Sequence, residues 1–178
     1  MAGKARAAVR KLYKNAFAPQ ERMPFWLMTL MAKRKDTQFD AYYAEDSLCA
    51  LAYLATVNEL TFLMFLAVEQ SMRSRGYGSA VLEEIERQRP GAKTLVSIER
   101  CDAPAGDTEQ RLRRRRFYER NGYEQTGYLI EMAKQQQEIL IRNGAFEPQE
   151  FLAFFRAYGN GTLKPKIWRA EDEAGRER

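Results

Sequence analysis

The residues best placed for chemistry are Arg73-Ser74-Arg75-Gly76-Tyr77-Gly78-Ser79. They follow Leu60 to Val68, an apolar run broken only by Thr61, which reads as a strand buried on both faces. A polar elbow, Glu69-Gln70-Ser71-Met72, separates the two. After the glycines, Ala80, Val81, Leu82 and Ile85 continue at helical spacing. The unit is therefore strand, glycine-punctuated turn, helix. A helix N-terminus carries unpaired N–H groups and partial positive charge, so it attracts phosphate. Gly76 and Gly78 let the backbone approach a bulky anion, and Arg73 and Arg75 add positive charge at the rim. The expectation is a pyrophosphate site at the head of this helix.

The pattern is neither the three-glycine dinucleotide fingerprint nor the phosphate loop of the NTPases. It is R-x-x-G-x-G, and further on Arg116-Phe117-Tyr118-Glu119-Arg120-Asn121-Gly122-Tyr123 contains F-Y-x-x-x-G-Y. In this order and context the two motifs resemble the GCN5-related N-acetyltransferases, over about Leu48 to Tyr128. The resemblance implies one mixed α/β (α+β) sheet, mostly antiparallel, with helices on both faces. It implies acetyl-CoA as co-substrate, its pyrophosphate on Arg73 to Ser79. The pantetheine arm would lie along Leu66, Ala67 and Val68, where the central strand and the strand KTLVSI splay apart. The backbone N–H near Val68 would meet the developing oxyanion. Tyr118 would face the CoA sulfur, both contacting the cofactor and protonating the departing thiolate. Family members usually begin with a strand. Nothing before Ala5 is strand-like, so the first strand is expected to be missing or displaced.

Transfer to a primary amine also needs a base, because an alkylamine with a pKa near ~10.4 is mostly protonated at neutral pH. The chain has no histidine, so a carboxylate or a water chain must serve. Glu99, just past KTLVSI, ranks ahead of Glu69 at the end of the central strand. Cys101 has no histidine to activate it and reads as a plain loop residue. The run Arg111-Leu112-Arg113-Arg114-Arg115-Arg116 invites a nucleic-acid reading. Its charges encircle one helix, Glu109 and Glu119 flank them, and no aromatic platform adjoins. A nucleic-acid partner is therefore disfavoured. The reading is an N-acetyltransferase acting by direct transfer in a ternary complex. Two alternatives stay open: an acyl-CoA-binding regulatory domain without turnover, and a basic nucleic-acid-binding protein.

Composition bounds the rest. The 178 residues are enough for one domain with a substantial core. No apolar run approaches the ~20 residues that span a bilayer, so no membrane partner is expected. Two lone cysteines and no histidine leave neither a disulfide framework nor a zinc cage, so no metal is expected and the cytoplasm is the default address. The net charge of +5 favours anionic ligands. The acceptor, a small-molecule or peptide amine, is not legible, nor is the choice between monomer and homodimer.

The elements follow in order. Ala5 to Phe17 reads as a helix with Ala8, Val9, Leu12 and Ala16 on one face, and Phe25 to Ala32 as a second. Gln38 to Ala44, Leu48 to Val57 and Leu60 to Val68 form an antiparallel meander. Lys93 to Ile98 is a short strand, and Cys101 to Gly106 a loop. Asp107 with Gln110 suggests a capping box for a helix running to Asn121, stopped by Gly122. Tyr123 to Met132 and Gln137 to Ile141 are strands, and Pro148 starts a helix over Phe151 to Tyr158. Residues 1–169 are taken as a single N-acetyltransferase domain, and Ala170 to Arg178 as a charged, disordered tail.

Overall fold

A computed structural model describes residues 3–102, 106–132 and 134–173. Seven strands form one sheet, flanked by helices, in the order β1-β2-β3-β4-β6-β5-β7. They are β1 (Thr37–Ala44), β2 (Ser47–Val57), β3 (Leu60–Val68), β4 (Lys93–Glu99), β5 (Glu124–Met132), β6 (Gln135–Arg142) and β7 (Lys166–Arg169). The helices are α1 (Gly3–Ala16), α2 (Phe25–Met31), α3 (Tyr77–Gln88), α4 (Thr108–Arg120) and α5 (Pro148–Tyr158). The first strand follows both N-terminal helices, as the missing or displaced strand of the sequence reading requires. Two compact units divide the chain: Met1–Thr56 with Leu63–Gly91, and Val57–Phe62 with Ala92–Arg178. The strand β3 contributes to both.

In the first unit, β1 and β2 are antiparallel, and Cys49 is the extra residue of a bulge opposite Tyr42 and Tyr43. Its thiol donates to the Tyr42 carbonyl at 3.1 Å. Val9, Leu12 and Tyr13 of α1 and Met28 of α2 bury against Leu51, Tyr53 and Ala67. Ala8, expected on the inner face, is exposed, because Tyr13 takes the place in the buried stripe. Tyr13 meets Phe65 edge-on with ring centroids 5.2 Å apart, a favoured aromatic geometry. Its hydroxyl donates to the Met23 carbonyl at 3.1 Å and accepts from the Met23 N–H at 2.8 Å, tying down the link into α2.

In the second unit, β6 pairs antiparallel with both β4 and β5, and β7 antiparallel with β5. The β5 ladder breaks between Gln125 and Leu129, where Gly127 has φ +75° and the Thr126 hydroxyl donates to the Ile139 carbonyl at 2.9 Å. Phe62 packs edge-on against Phe151, Phe154 and Phe155 of α5, with centroids 5.0, 5.9 and 5.7 Å away. All four are buried.

The strand β7 has only four residues, too short to show an alternation in sequence. The charged tail begins as a 3-10 turn over Ala170–Asp172 instead of disorder. Glu173 anchors it, accepting from the Trp168 indole at 2.9 Å and pairing with Arg100 at 2.8 Å. Residues 174–178 lie outside the described residues.

Candidate active site

The strand–turn–helix unit exists as expected, with a geometry that sequence could only outline. The first half of β3 is buried, but Met64, Phe65, Leu66 and Val68 are only half-buried, so this end is not covered on both faces. The Glu69 N–H still reaches the Cys49 carbonyl at 2.8 Å, after which the chain makes a 3-10 turn over Gln70–Met72. Glu69, the second base candidate, caps that turn by accepting from the Gln70 N–H at 3.1 Å. Arg73 folds back, its Nε donating to the Val68 carbonyl at 3.3 Å. Ser74 and Gly76 both take left-handed dihedrals, φ +62° and +84°. Such reversals turn successive N–H groups toward one concavity, an arrangement that binds anions. Gly76 is also the N-cap of α3, and no side chain caps the helix there. The first-turn N–H groups are thus not answered by a capping side chain, as a phosphate site requires. Arg73, Ser74, Arg75 and Gly76 are exposed, Tyr77 and Ser79 half-buried, and Gly78 buried within α3.

Tyr118 lies in the other unit, near the end of α4. The helix closes with a Schellman motif: the Gly122 N–H reaches the Glu119 carbonyl at 3.0 Å and the Tyr123 N–H the Tyr118 carbonyl at 3.1 Å. Gly122 supplies the left-handed residue at φ +81°. The Tyr123 ring packs on Tyr118 with centroids 5.3 Å apart, the apolar contact such motifs carry. The glycine and tyrosine of F-Y-x-x-x-G-Y therefore hold the first tyrosine in place. Burial pushes the Tyr118 phenol up to about 12, with Arg114 lowering it and Glu99 raising it. The phenol stays protonated, and its hydroxyl makes no hydrogen bond to the described residues.

Glu99 is the last residue of β4, not a residue beyond it. Its carboxylate pairs with Arg114, one turn before Tyr118 on α4. The sequence reading missed this pair because its partners are fifteen positions apart. It missed equally that Arg115 grips Glu138 through Nε at 2.9 Å and Nη2 at 2.6 Å. Arg111 pairs with Asp107 and Arg113 with Glu109, both at 2.9 Å. The Asp107 carboxylate thus serves Arg111 and makes no cap hydrogen bond, so the expected capping box does not form. Cys101 donates to Glu138 at 3.4 Å. Burial, reinforced by the Glu138 charge, raises its thiol to about 11, which keeps it un-ionised and non-nucleophilic.

A seven-stranded mixed α/β sheet, with a strand running through a left-handed turn into an uncapped helix, defines the acyl-CoA N-acyltransferase class of fold. Residues 37–125, half of the chain, match the family model described as an acetyltransferase (GNAT) domain. The chain belongs to the GNAT acetyltransferase family. No curated protein matches the sequence. Solved structures agree on the fold. A Bacteroides thetaiotaomicron protein assigned to the GNAT acetyltransferases is 15% identical, with a TM-score of 0.70 over 89% of this chain and 93% of that one. The PaiA N-acetyltransferase of Thermoplasma acidophilum, in complex with coenzyme A, is 15% identical, with a TM-score of 0.54 over 79% and 88%. A Bacillus subtilis acetyltransferase in complex with CoA is 13% identical, with a TM-score of 0.56 over 78% and 92%.

Proposed function

We propose that this protein is an acetyl-CoA-dependent N-acetyltransferase that moves an acetyl group directly to a primary amine in a ternary complex, in the cytoplasm. The observation that carries the reading is the uncapped start of α3 behind the left-handed pair Ser74 and Gly76. Two of the structural relatives hold coenzyme A, which supports the same ligand here. The family match runs through both compact units, which favours reading residues 1–169 as one N-acetyltransferase domain.

Acetyl-CoA supplies an activated thioester carbonyl; the chain does the rest. Residues 73–79 hold the pyrophosphate through backbone N–H groups, with Arg73 and Arg75 at the rim. The half-buried Leu66 and Val68, with Ala67 between them, receive the pantetheine arm, and backbone N–H near Val68 stabilises the oxyanion. Tyr118 meets the leaving sulfur. A thiolate whose conjugate thiol has an ordinary pKa near ~8.5 takes a proton from a phenol at about 12 only uphill, by roughly 5 kcal/mol. Tyr118 therefore serves as a hydrogen-bond donor to the departing thiolate and keeps its own proton, the thiolate being protonated from solvent after release. Glu99, oriented by Arg114, receives the amine proton directly or through one water.

The Glu99–Arg114 pair also favours a second reading, binding without turnover, because the carboxylate that would receive the amine proton is already engaged by a guanidinium. Calorimetric titration with acetyl-CoA, followed by an amine panel with thiol detection, decides between them. Saturable binding with thiol release supports the enzyme; binding with no release on any amine supports the regulatory domain. No binding overturns both. Four of the five arginines in the run Arg111 to Arg116 are ion-paired, which leaves the arginine helix little unmatched charge for a nucleic acid.

A further inference from the structure

Residues 1–35 hold nine of the 29 lysines and arginines but one of the 24 acidic residues, a net charge of +8, so residues 36–178 sum to −3. The excess sits on the exposed sides of α1 and the segments flanking α2: Lys4, Arg6, Arg10, Lys11, Lys14, Lys33, Arg34 and Lys35 are all exposed. Arg34 is matched by Asp36. Lys4, Arg10, Lys11, Lys14, Lys33 and Lys35 form no ion pair with the described residues. Where α1 meets the link into α2 there is a cleft of about 250 Å³. Its cations are Arg10, Lys14 and Arg22, its aromatic walls Tyr13 and Phe25, and no carboxylate lines it.

Arg10 and Lys14 stand four residues apart on α1, where like charges repel and destabilise a helix by a few tenths of a kcal/mol. Among the described residues no carboxylate pairs with either side chain. The third cation is held in place by its own backbone contact, Arg22 Nε donating to the Phe17 carbonyl at 2.7 Å. Tyr13 contributes no charge, since burial raises its phenol to about 12. Two guanidinium groups, an ammonium and apolar walls suit a phosphate dianion carried on an apolar body. On α2, whose first residue Phe25 lines the cleft, Trp26 and Leu30 stand one turn apart, 65% and 52% exposed.

We propose that this cleft is an anion-binding site, separate from the acetyl-CoA loop, for a phosphate group on an apolar body. The inference does not depend on acetyl transfer. Two sources share that chemistry: a soluble phosphate ester and the headgroup of an anionic phospholipid, beside which Trp26 and Leu30 would lie in the interface.

Phenyl phosphate, titrated calorimetrically, is the first probe. Wild type binds it, and the exposed double variant Arg10→Gln, Lys14→Gln weakens binding at least tenfold with a melting temperature equal to or slightly above wild type and unchanged acetyl-CoA binding. Lys14→Glu abolishes it. A Gly76→Asp variant retains it, which separates the cleft from the pyrophosphate loop. In the second arm, protein is sedimented with phosphatidylcholine vesicles containing phosphatidylglycerol. Cosedimentation lost in Trp26→Ser, Leu30→Ser, with phenyl phosphate binding kept, assigns the headgroup as the source. Phenyl phosphate binding without cosedimentation assigns a soluble ester. No phenyl phosphate binding, or binding indifferent to Arg10 and Lys14 but lost in Gly76→Asp, overturns the proposal.

Discussion

Gly76 allows the stability and the ligand chemistry of one residue to be separated. Its φ is +84°, and a Cβ added there would meet nothing within 4 Å. Gly76→Ala therefore carries only the conformational penalty of an L-residue in the left-handed region, about 1–2 kcal/mol. Gly76→Asn, which tolerates that region, should recover most of this loss. Gly76→Asp should be nearly as stable as Asn, and an acidic residue at a helix N-cap is itself favourable. Acetyl-CoA affinity should follow a different order. If the pyrophosphate sits on this turn, a carboxylate roughly 5 Å from one phosphate charge opposes binding by on the order of 3 kcal/mol at an effective dielectric near 20, about a hundredfold in Kd. Thermal unfolding gives the stability series and calorimetry the binding series. The expected result is Asn and Asp close in melting temperature and two orders of magnitude apart in Kd. If Gly76→Asp binds acetyl-CoA within threefold of wild type, the pyrophosphate is not at the head of α3.

Four further outcomes follow from the second unit. Tyr118→Phe removes a hydroxyl with no hydrogen bond to the described residues, so stability at neutral pH should change by less than about 0.5 kcal/mol while kcat falls and the acetyl-CoA KM holds. The same residue makes stability pH-dependent: its phenol is at about 12 when folded and near ~10 unfolded, so the folded state is favoured fully below pH ~10 and loses that advantage as pH rises toward 12. The loss is roughly 2–3 kcal/mol for this group, and denaturant unfolding at pH 9 and pH 12 should show Tyr118→Phe losing that much less than wild type. Glu99→Gln should lower kcat by about 10²–10⁴ without changing acetyl-CoA affinity; an unchanged kcat would place the base elsewhere. Phe62→Ala, which empties the centre of the Phe151, Phe154 and Phe155 cluster, should destabilise by about 3–5 kcal/mol in urea unfolding.

Features that depend on neighbours along the chain are legible in the order of its residues. The apolar run of β3, the glycine turn, the start of α3 near Tyr77, the stop at Gly122 and the proline start of α5 are written in stretches of a few residues, where backbone geometry answers to local sterics and capping. Both motifs are readable for the same reason. Features set by distant partners are not. The bond from Arg73 to the Val68 carbonyl and the left-handed Ser74 depend on how the turn closes over the strand end. The pairs Glu99–Arg114 and Arg115–Glu138 exist because strands and helix bring charges fifteen and more positions apart to one place. That is why a base candidate chosen for its position carries a guanidinium partner. The strand β7 is a strand because β5 offers it a free edge, with Tyr128 opposite Arg169; four residues alone carry too little periodicity to announce one. Composition and motif were enough to define the family and point to the glycine turn, whereas the ionic partners of Glu99 and of the α4 arginines came only from the packing of the folded chain.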